Sequence, residues 1–196
     1  TSGRPLASVI ENGQECTTIT FEGLADGAPV PPINGINSPG WLSLIDADAG
    51  GNGNFANEPS PETIMFWLGS NPSIVLDNPA SKIEFYYSTS VNLTVTAFDE
   101  ANTQLTQVTR PPNYAGGPGD PTGDYSGWTP LTLEVPNAKI KRLTVVGGPN
   151  YTGFDNLKVC TAIGVDSVEL TQAIQQWQSL DDLKADLQGD REPPVP

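Results

Sequence analysis

Short segments in which apolar and polar residues alternate recur along this chain, and this pattern constrains its fold more than any other feature. Ten such segments are separated by turn-forming residues: 17–22, 41–45, 63–68, 73–76, 82–88, 91–98, 104–108, 131–135, 140–146 and 154–160. Glycine and proline are abundant, with 20 and 19 copies among 196 residues. Alternation with a period of two is typical of strands that bury one face. Because no helical period intervenes, the pattern predicts an all-β fold, an antiparallel β-sandwich of the jelly-roll type.

Two hairpins are predicted in the middle of the chain. Residues 83–87 are expected to turn back through residues 88–90 into a strand at 91–98, and a second turn at 99–102 leads to a strand at 104–108. Turn-forming residues between alternating segments are the usual signal of such connections. The hairpins place these strands next to one another in one sheet.

Three regions differ in composition. Residues 1–15 form a polar leader, residues 16–160 hold the predicted sandwich, and residues 161–196 form an acidic, proline-ending extension. In the extension, a strand is expected at 165–174, and a short amphipathic helix is expected at 175–187. The helix has too little apolar material to form a domain alone, so it is expected to dock on the sandwich, to dock on another molecule or to stay mobile, and we favour contact with a neighbouring subunit or domain.

The charge balance excludes several classes of protein. The chain carries 9 basic and 23 acidic side chains, a formal net charge of −14, and no histidine. Nucleic-acid binding requires a basic surface, and most triad hydrolases and zinc enzymes require histidine. The longest apolar run, residues 64–68, is far shorter than a membrane span. A non-catalytic protein without a membrane span is therefore expected.

The two cysteines lie at the edges of the first and last predicted strands. If these strands pair antiparallel with Cys16 opposite Cys160, Ile19 faces Leu157 and Glu22 comes opposite Phe154, next to Asp155. A disulfide there would stabilise the fold by about 4 to 5 kcal/mol through loop closure. The alternative is a pair of buried thiols. We favour the disulfide and an extracellular location, where such bonds persist.

Three short motifs carry a family resemblance: Phe-Glu-Gly-Leu at residues 21–24, Thr-Val-Thr-Ala-Phe-Asp at 94–99, and Gly-Phe-Asp-Asn-Leu at 153–157. The chain resembles secreted bacterial β-sandwich modules that bind calcium, of the carbohydrate-binding-module-like and PEP-CTERM-type exported kind. The resemblance implies that Glu22 and Asp155 share a structural calcium ion, whose hard oxygen ligands are carboxylates. The alternative is that both residues cap or flank turns.

A glycine-rich loop at residues 46–54 spaces oxygen-bearing side chains at alternate positions. It differs from a calcium-binding EF-hand loop, because Gly50 takes the fifth position and Asn57 replaces the bidentate glutamate. We interpret it as a solvated turn. A second calcium site through Asp46 and Asp48, or a contribution to the first site, is the alternative.

A segment of about nineteen residues from Arg110 to Trp128 has no periodicity, and such loops in compact domains are usually functional. The aromatic rings within it provide flat faces for sugars, and two carboxylates provide hydrogen-bond acceptors. The candidate ligand-binding residues are Tyr114, Tyr125, Trp128, Asp120 and Asp124. The alternative for Trp128 is that it begins the next strand and packs inward.

Two functions follow from these observations. The first is a calcium-stabilised, non-catalytic extracellular binding or adhesion module that contacts carbohydrate or a surface polymer. The second is a structural subunit of an extracellular fibre, in which residues 161–196 add a strand to the neighbouring copy.

Overall fold

A computed structural model of the chain describes residues 8–115, 123–137 and 139–162, all within one compact unit, residues 1–162. These residues contain strands and turns and no helix, so the all-β prediction is confirmed. The predicted strand and helix of the extension, and the candidate residue Asp120, lie outside the described residues. The eleven strands are β1 (Val9–Glu11), β2 (Gln14–Ile19), β3 (Ile36–Asn37), β4 (Leu42–Ile45), β5 (Thr63–Phe66), β6 (Ser73–Thr89), β7 (Leu93–Phe98), β8 (Gln104–Arg110), β9 (Thr129–Glu134), β10 (Ile140–Val146) and β11 (Thr152–Ala162).

All strand pairs are antiparallel, in the order β1-β2-β11-β6-β10-β7-β8, with β3 and β9 also on β6 and with β4 and β5 extending from β11. The 17-residue strand β6 connects the two layers of the sandwich. Its first half pairs with β3 and β10, and its second half pairs with β9 and β11. Two of the predicted strands, at 73–76 and 82–88, are therefore parts of one long strand.

The predicted hairpin between residues 83–87 and 91–98 is wrong, whereas the next one is confirmed. Strand β7 pairs with β10 and β8. The second half of β6 already has β11 on one edge and β9 on the other, so no edge is free for β7. At the end of β6, the Ser90 backbone N–H donates to the Tyr151 carbonyl (3.0 Å), where the chain leaves the strand for the other layer.

The core forms between the two layers from aromatic and branched side chains. Phe154 stacks on Phe85 with ring centroids 4.1 Å apart and lies 4.9 Å from Trp41, whose ring meets Trp67 edge-on at 5.1 Å. Inward side chains of both layers belong to the same hydrophobic cluster. Burying these large rings away from water is the main contribution to the stability of the sandwich.

The disulfide and its register are confirmed. Cys16 bonds to Cys160, and Ile19 faces Leu157 as predicted. The predicted facing of Glu22 and Phe154 is wrong, because β2 ends at Ile19 and β5 then takes over that edge of β11, with Met65 opposite Phe154.

The sheet extends slightly past the predicted domain bounds at both ends. Strand β1 and the start of β2 fall within the predicted leader, and β11 continues to Ala162.

Candidate functional site

A groove of about 740 Å³ lies on the outer face of the layer that contains β5, β11 and β6. Gly153 of β11 has Phe66 of β5 on one side and Ser88 of β6 on the other, so these three residues share one face and form its floor. Gly153 keeps the floor low, since a Cβ atom there would lie 2.6 Å from Ile64 Cδ1 and 3.5 Å from the Trp128 ring.

Aromatic side chains stand on both sides of this floor. Tyr114 and Tyr125 pack with ring centroids 5.7 Å apart, and Tyr114 is 47% exposed. Tyr151 and Leu68 also line the groove and are 53% and 56% exposed. Exposed aromatic faces around a concave surface are typical of sites that bind ligands with apolar faces.

Trp128 lies between the groove and the interior. Its indole N–H donates to the Ala56 carbonyl (3.0 Å), and its ring meets Phe55 edge-on with centroids 6.4 Å apart. The side chain is half-buried and lines the groove. Packing against the 55–56 segment therefore fixes the orientation of the indole ring at the groove wall.

Hydrogen bonds between two distant loops hold one wall of the groove. The Asn54 amide donates to Asp124 Oδ2 (2.9 Å), and the Asp124 backbone N–H donates back to Asn54 Oδ1 (3.0 Å). The Tyr125 hydroxyl bonds to Ser90 Oγ at 2.9 Å. Both Asn54 and Asp124 line the groove, so its polar groups are ordered before a ligand arrives.

The loop that follows β8 is tied to the end of β6. The Asn113 side chain accepts from the Thr89 backbone N–H (2.8 Å) and donates to the Tyr87 carbonyl (2.9 Å). Gly127 packs directly on the Asn113 carbonyl oxygen, which leaves no room for a Cβ atom. The structure thus brings Tyr114, Tyr125, Trp128 and Asp124 to one groove.

A second arrangement, the acidic centre, brings together the Glu22 and Asp155 carboxylates. Asp155 is completely buried and accepts hydrogen bonds from the Ser60 N–H (2.7 Å), the Ser60 hydroxyl (2.7 Å) and the Asn156 N–H (2.6 Å). The same Ser60 hydroxyl lies 3.5 Å from Glu22 Oε1, which also accepts from the Thr63 N–H (3.1 Å).

Both carboxyl groups of the acidic centre have raised pKa values. Burial raises the pKa of Asp155 to about 7, and the nearby Glu22 charge acts in the same direction, while hydrogen bonds from Ser60 and Asn156 oppose it. Burial also raises the pKa of Glu22. The salt bridges of the described residues, Lys82–Glu84 and Lys158–Glu11, involve neither of them. Two acidic groups are thus held together with no basic partner in the described structure.

Several oxygen atoms converge at the acidic centre. The Ser60 hydroxyl has one proton, yet it faces Asp155 Oδ1, Glu22 Oε1 and the Thr20 carbonyl (3.2 Å). The adjacent Asn156 has a buried Oδ1 atom with no donor in the described part of the chain. The Ser60 hydroxyl thus faces more acceptors than its single proton can satisfy, and calcium also requires oxygen-rich surroundings, so a calcium ion at this centre stays a prediction.

Asp46 and Asp48 lie on a different loop, which backbone hydrogen bonds close tightly. The Gly51 N–H donates to the Asp46 carbonyl (2.8 Å), and the Gly53 N–H donates to the Ile45 carbonyl (2.8 Å). Asp46 is 4% exposed, whereas Asp48 is exposed. Burial raises the pKa of Asp46 to about 7, and a hydrogen bond that protonated Asp46 donates to Asp48 and the charge of Glu58 act in the same direction. A second calcium site here stays a prediction.

One group of three acidic or thiol side chains in the described ranges has its ligand atoms within 4.8 Å of one another: Glu11, Cys16 and Cys160. The disulfide removes both thiols, and Lys158 already pairs with Glu11. This group is therefore structural.

Sequence reasoning missed Ser60, Asn54 and Tyr151. Ser60 lies between two prolines in an aperiodic stretch, and no pattern distinguishes it. Asn54 belongs to the glycine-rich loop. The alternating oxygen-bearing side chains of that loop indicate a solvated turn or a calcium site, and neither interpretation points to the wall of a groove. Tyr151 follows Asn150 in a turn, and an aromatic residue after a turn signal could have been flagged.

No protein-family model matches the chain, and no curated protein matches it. Three similar solved structures illustrate what it resembles. A carbohydrate-binding module from Cellvibrio mixtus lichenase, in complex with cellotriose, is 12% identical, with 65% of this chain and 90% of that chain covered and a TM-score of 0.35. A family 29 carbohydrate-binding module from Piromyces equi is 13% identical over 68% and 85%, with a TM-score of 0.39. A cleaved adhesin domain of Lys-gingipain from Porphyromonas gingivalis is 18% identical over 66% and 99%, with a TM-score of 0.37.

Within the described ranges, the structure has no helix with the length and apolar character of a membrane span.

Proposed function

We propose that this chain is a non-catalytic extracellular module that binds a carbohydrate chain in the groove. The observation that carries the proposal is the combination of exposed aromatic faces with fixed polar groups on one concave surface. A sugar ring has apolar C–H faces that pack on aromatic rings and a rim of hydroxyl groups that need hydrogen-bond partners. Tyr114 and Tyr151 provide such rings, and Asn54, Asp124 and Asn150 provide such partners.

The walls of the groove support binding because they are ordered in advance. The reciprocal bonds between Asn54 and Asp124, and the bond from Trp128 to Ala56, fix side chains that a ligand would otherwise have to immobilise. Each rotamer-rich side chain that is ordered on binding costs about 0.5 to 1.5 kcal/mol. A preformed groove avoids most of this cost.

The number of carboxylates in the described part of the groove favours binding over hydrolysis. Glycosidases typically use two carboxyl groups on either side of the scissile bond. Among the groove residues that the structure describes, Asp124 is the one with a carboxylate, and it already accepts from Asn54. The buried Asp155 is covered by Ser60.

The proposal includes a structural calcium ion at the acidic centre. Glu22 and Asp155 would provide the charges, and the Ser60 hydroxyl and Thr20 carbonyl would provide neutral oxygens. A bound cation would neutralise two buried carboxylates and hold the loop around Ser60 against β11. The excess of acceptors over protons supports this part of the proposal.

An extracellular location is supported by the disulfide. Bonds between cysteines persist in oxidising compartments and are rare in the cytosol. The bond between Cys16 and Cys160 joins the first long strand to the last one. A fibre subunit that assembles through residues 161–196 stays a prediction, tested by deleting these residues and measuring the oligomeric state.

A glycan array with matched variants tests the binding proposal. Tyr114→Ala and Tyr151→Ala are expected to weaken retention on the bound glycan about tenfold, because each removes an exposed ring from the groove. Tyr86→Ala is the control, since Tyr86 lies on β6 outside the groove. Thermal unfolding of each variant shows whether the fold is kept. Absence of any retained glycan, or equal retention by all variants, would overturn the proposal.

A further inference from the structure

The groove lacks positive charge. None of its lining residues is lysine or arginine, and the undescribed stretch 116–122 contains no basic residue in its sequence. A negatively charged ligand therefore finds no positively charged side chain on the described walls of the groove.

Four of the six basic side chains that the structure describes have partners outside the groove, and the other two, Arg110 and Lys139, do not line it; Arg110 donates to the Thr109 carbonyl (3.3 Å). Lys82 and Lys158 form salt bridges with glutamates, Lys141 donates to the Asp77 carbonyl (2.7 Å), and Arg142 lies over the Phe98 ring at 4.3 Å. None of these four lines the groove. Long side chains that are already paired are not free to reach a ligand on another surface.

Negative charge, in contrast, is present at the groove and around it. Asp124 lies on the wall of the groove. The whole chain has a formal net charge of −14. Clefts lined by one sign of charge lower the local concentration of ligands of the same sign.

We propose that the groove selects neutral sugar chains and rejects chains that carry carboxylate or sulfate groups. The inference rests on the proposed carbohydrate-binding function and names its substrate class. A neutral sugar needs only hydroxyl partners, which the amides and Asp124 supply. An anionic sugar would lose hydration at its charged group and gain no cation in return, while Asp124 repels it.

Probes with the same backbone and different charge test this inference. Fully methyl-esterified polygalacturonate is neutral and its de-esterified form is anionic; hydroxyethyl cellulose and carboxymethyl cellulose form a second pair. A panel of neutral glucans, xylans and galactans is included. Retention is measured by affinity electrophoresis in about 0.15 M NaCl. We expect retention on at least one neutral chain, and about tenfold weaker retention on its anionic counterpart.

A variant with a positive charge added to the groove tests the same inference by changing the protein instead of the ligand. Leu68→Lys places a cation at the groove, where Leu68 is 56% exposed, and is expected to increase retention on de-esterified polygalacturonate. Gln104→Lys adds the same charge at an exposed position of β8, away from the groove, and is expected to leave retention unchanged. Equal gains in retention by both variants would mean that the net charge of the protein alone determines retention. That result would overturn the proposed selection by the groove.

The outcomes separate this inference from the function on which it rests. If the unaltered protein retains anionic chains as well as neutral ones, and Tyr114→Ala weakens both, the selection is wrong and the carbohydrate-binding function stands. If neither neutral nor anionic chains are retained, the carbohydrate-binding function itself is overturned. Retention of neutral chains alone, lost in Tyr114→Ala, supports both.

Discussion

Asn54 and Asp124 exchange two hydrogen bonds across 70 residues of sequence, with donor–acceptor distances of 2.9 and 3.0 Å. The pair joins the glycine-rich loop to the segment before β9. Next to it, the Tyr125 N–H donates to the Asn54 carbonyl (3.2 Å), and the Ala56 N–H donates to the Tyr125 carbonyl (3.2 Å). The side-chain pair and these two backbone bonds together build one wall of the groove.

Asn54→Ala removes both side-chain bonds and is expected to speed hydrogen exchange at the Tyr125 and Ala56 amides. Ligand affinity is expected to fall about tenfold, because the wall must then be ordered during binding. The control is Asn37→Ala, since Asn37 makes a similar bond to Asp77 (3.0 Å) outside the groove. Both variants are expected to lose about 1 kcal/mol of stability. Equal loss of affinity in both would contradict the role of this contact.

Calcium is expected to raise the unfolding temperature, and the effect should increase with pH. The folded-state pKa of Asp155 is about 7, above the ordinary value of 3.8, so protonation favours the folded state. Without calcium, this contribution is fully present below pH 4 and is lost as the pH rises through about 7. Thermal unfolding with calcium and with chelator, at pH 5 and pH 8, measures the effect. Identical curves at pH 8 would rule out a cation at the acidic centre.

Asp155→Asn is expected to stabilise the calcium-free protein at pH 8. The amide removes a buried charge whose raised pKa corresponds to a cost on the order of 4 kcal/mol, and this exceeds the loss of one hydrogen bond where the NH2 group faces the Ser60 or Asn156 N–H. The variant is also expected to lose its response to calcium. Some pH dependence should remain, since the pKa of Asp46 is raised as well. Asp77→Asn is the matched control. Stability is measured by denaturant unfolding in chelator, and an Asp155→Asn variant less stable than the unaltered protein would contradict the prediction.

Replacing Cys16 and Cys160 with serine is expected to lower the free energy of unfolding by about 5 kcal/mol, because the bond closes a loop of 144 residues. Both residues are buried, so a mild reductant is expected to leave the folded protein oxidised. Urea unfolding of the variant and of the unaltered protein provides the comparison. A difference below about 1 kcal/mol would show that strand pairing alone holds β2 on β11.

Strand positions could be predicted from the sequence because alternation is a local property. Strand β10 has the bounds predicted for it, and the other predicted strands lie within a few residues of their positions, whereas the short strands β1 and β3 were not predicted. The register of β2 on β11 also followed, because two cysteines define one pairing. The hairpin after Tyr87 failed, since local turn signals do not report that β9 and β11 already occupy both edges of β6.

The amino-acid sequence by itself determined the all-β class, the disulfide, and which aromatic and acidic residues were available for a site. The fold class and the candidate residues depend on residue type and on spacing of a few positions, and the disulfide follows because the chain has two cysteines. Only the tertiary structure placed Gly153 between Phe66 and Ser88, joined Asn54 to Asp124, and put Ser60 between two carboxylates. These contacts join residues 38 to 95 positions apart, and the pairing and packing of distant segments, which no local pattern encodes, bring them together.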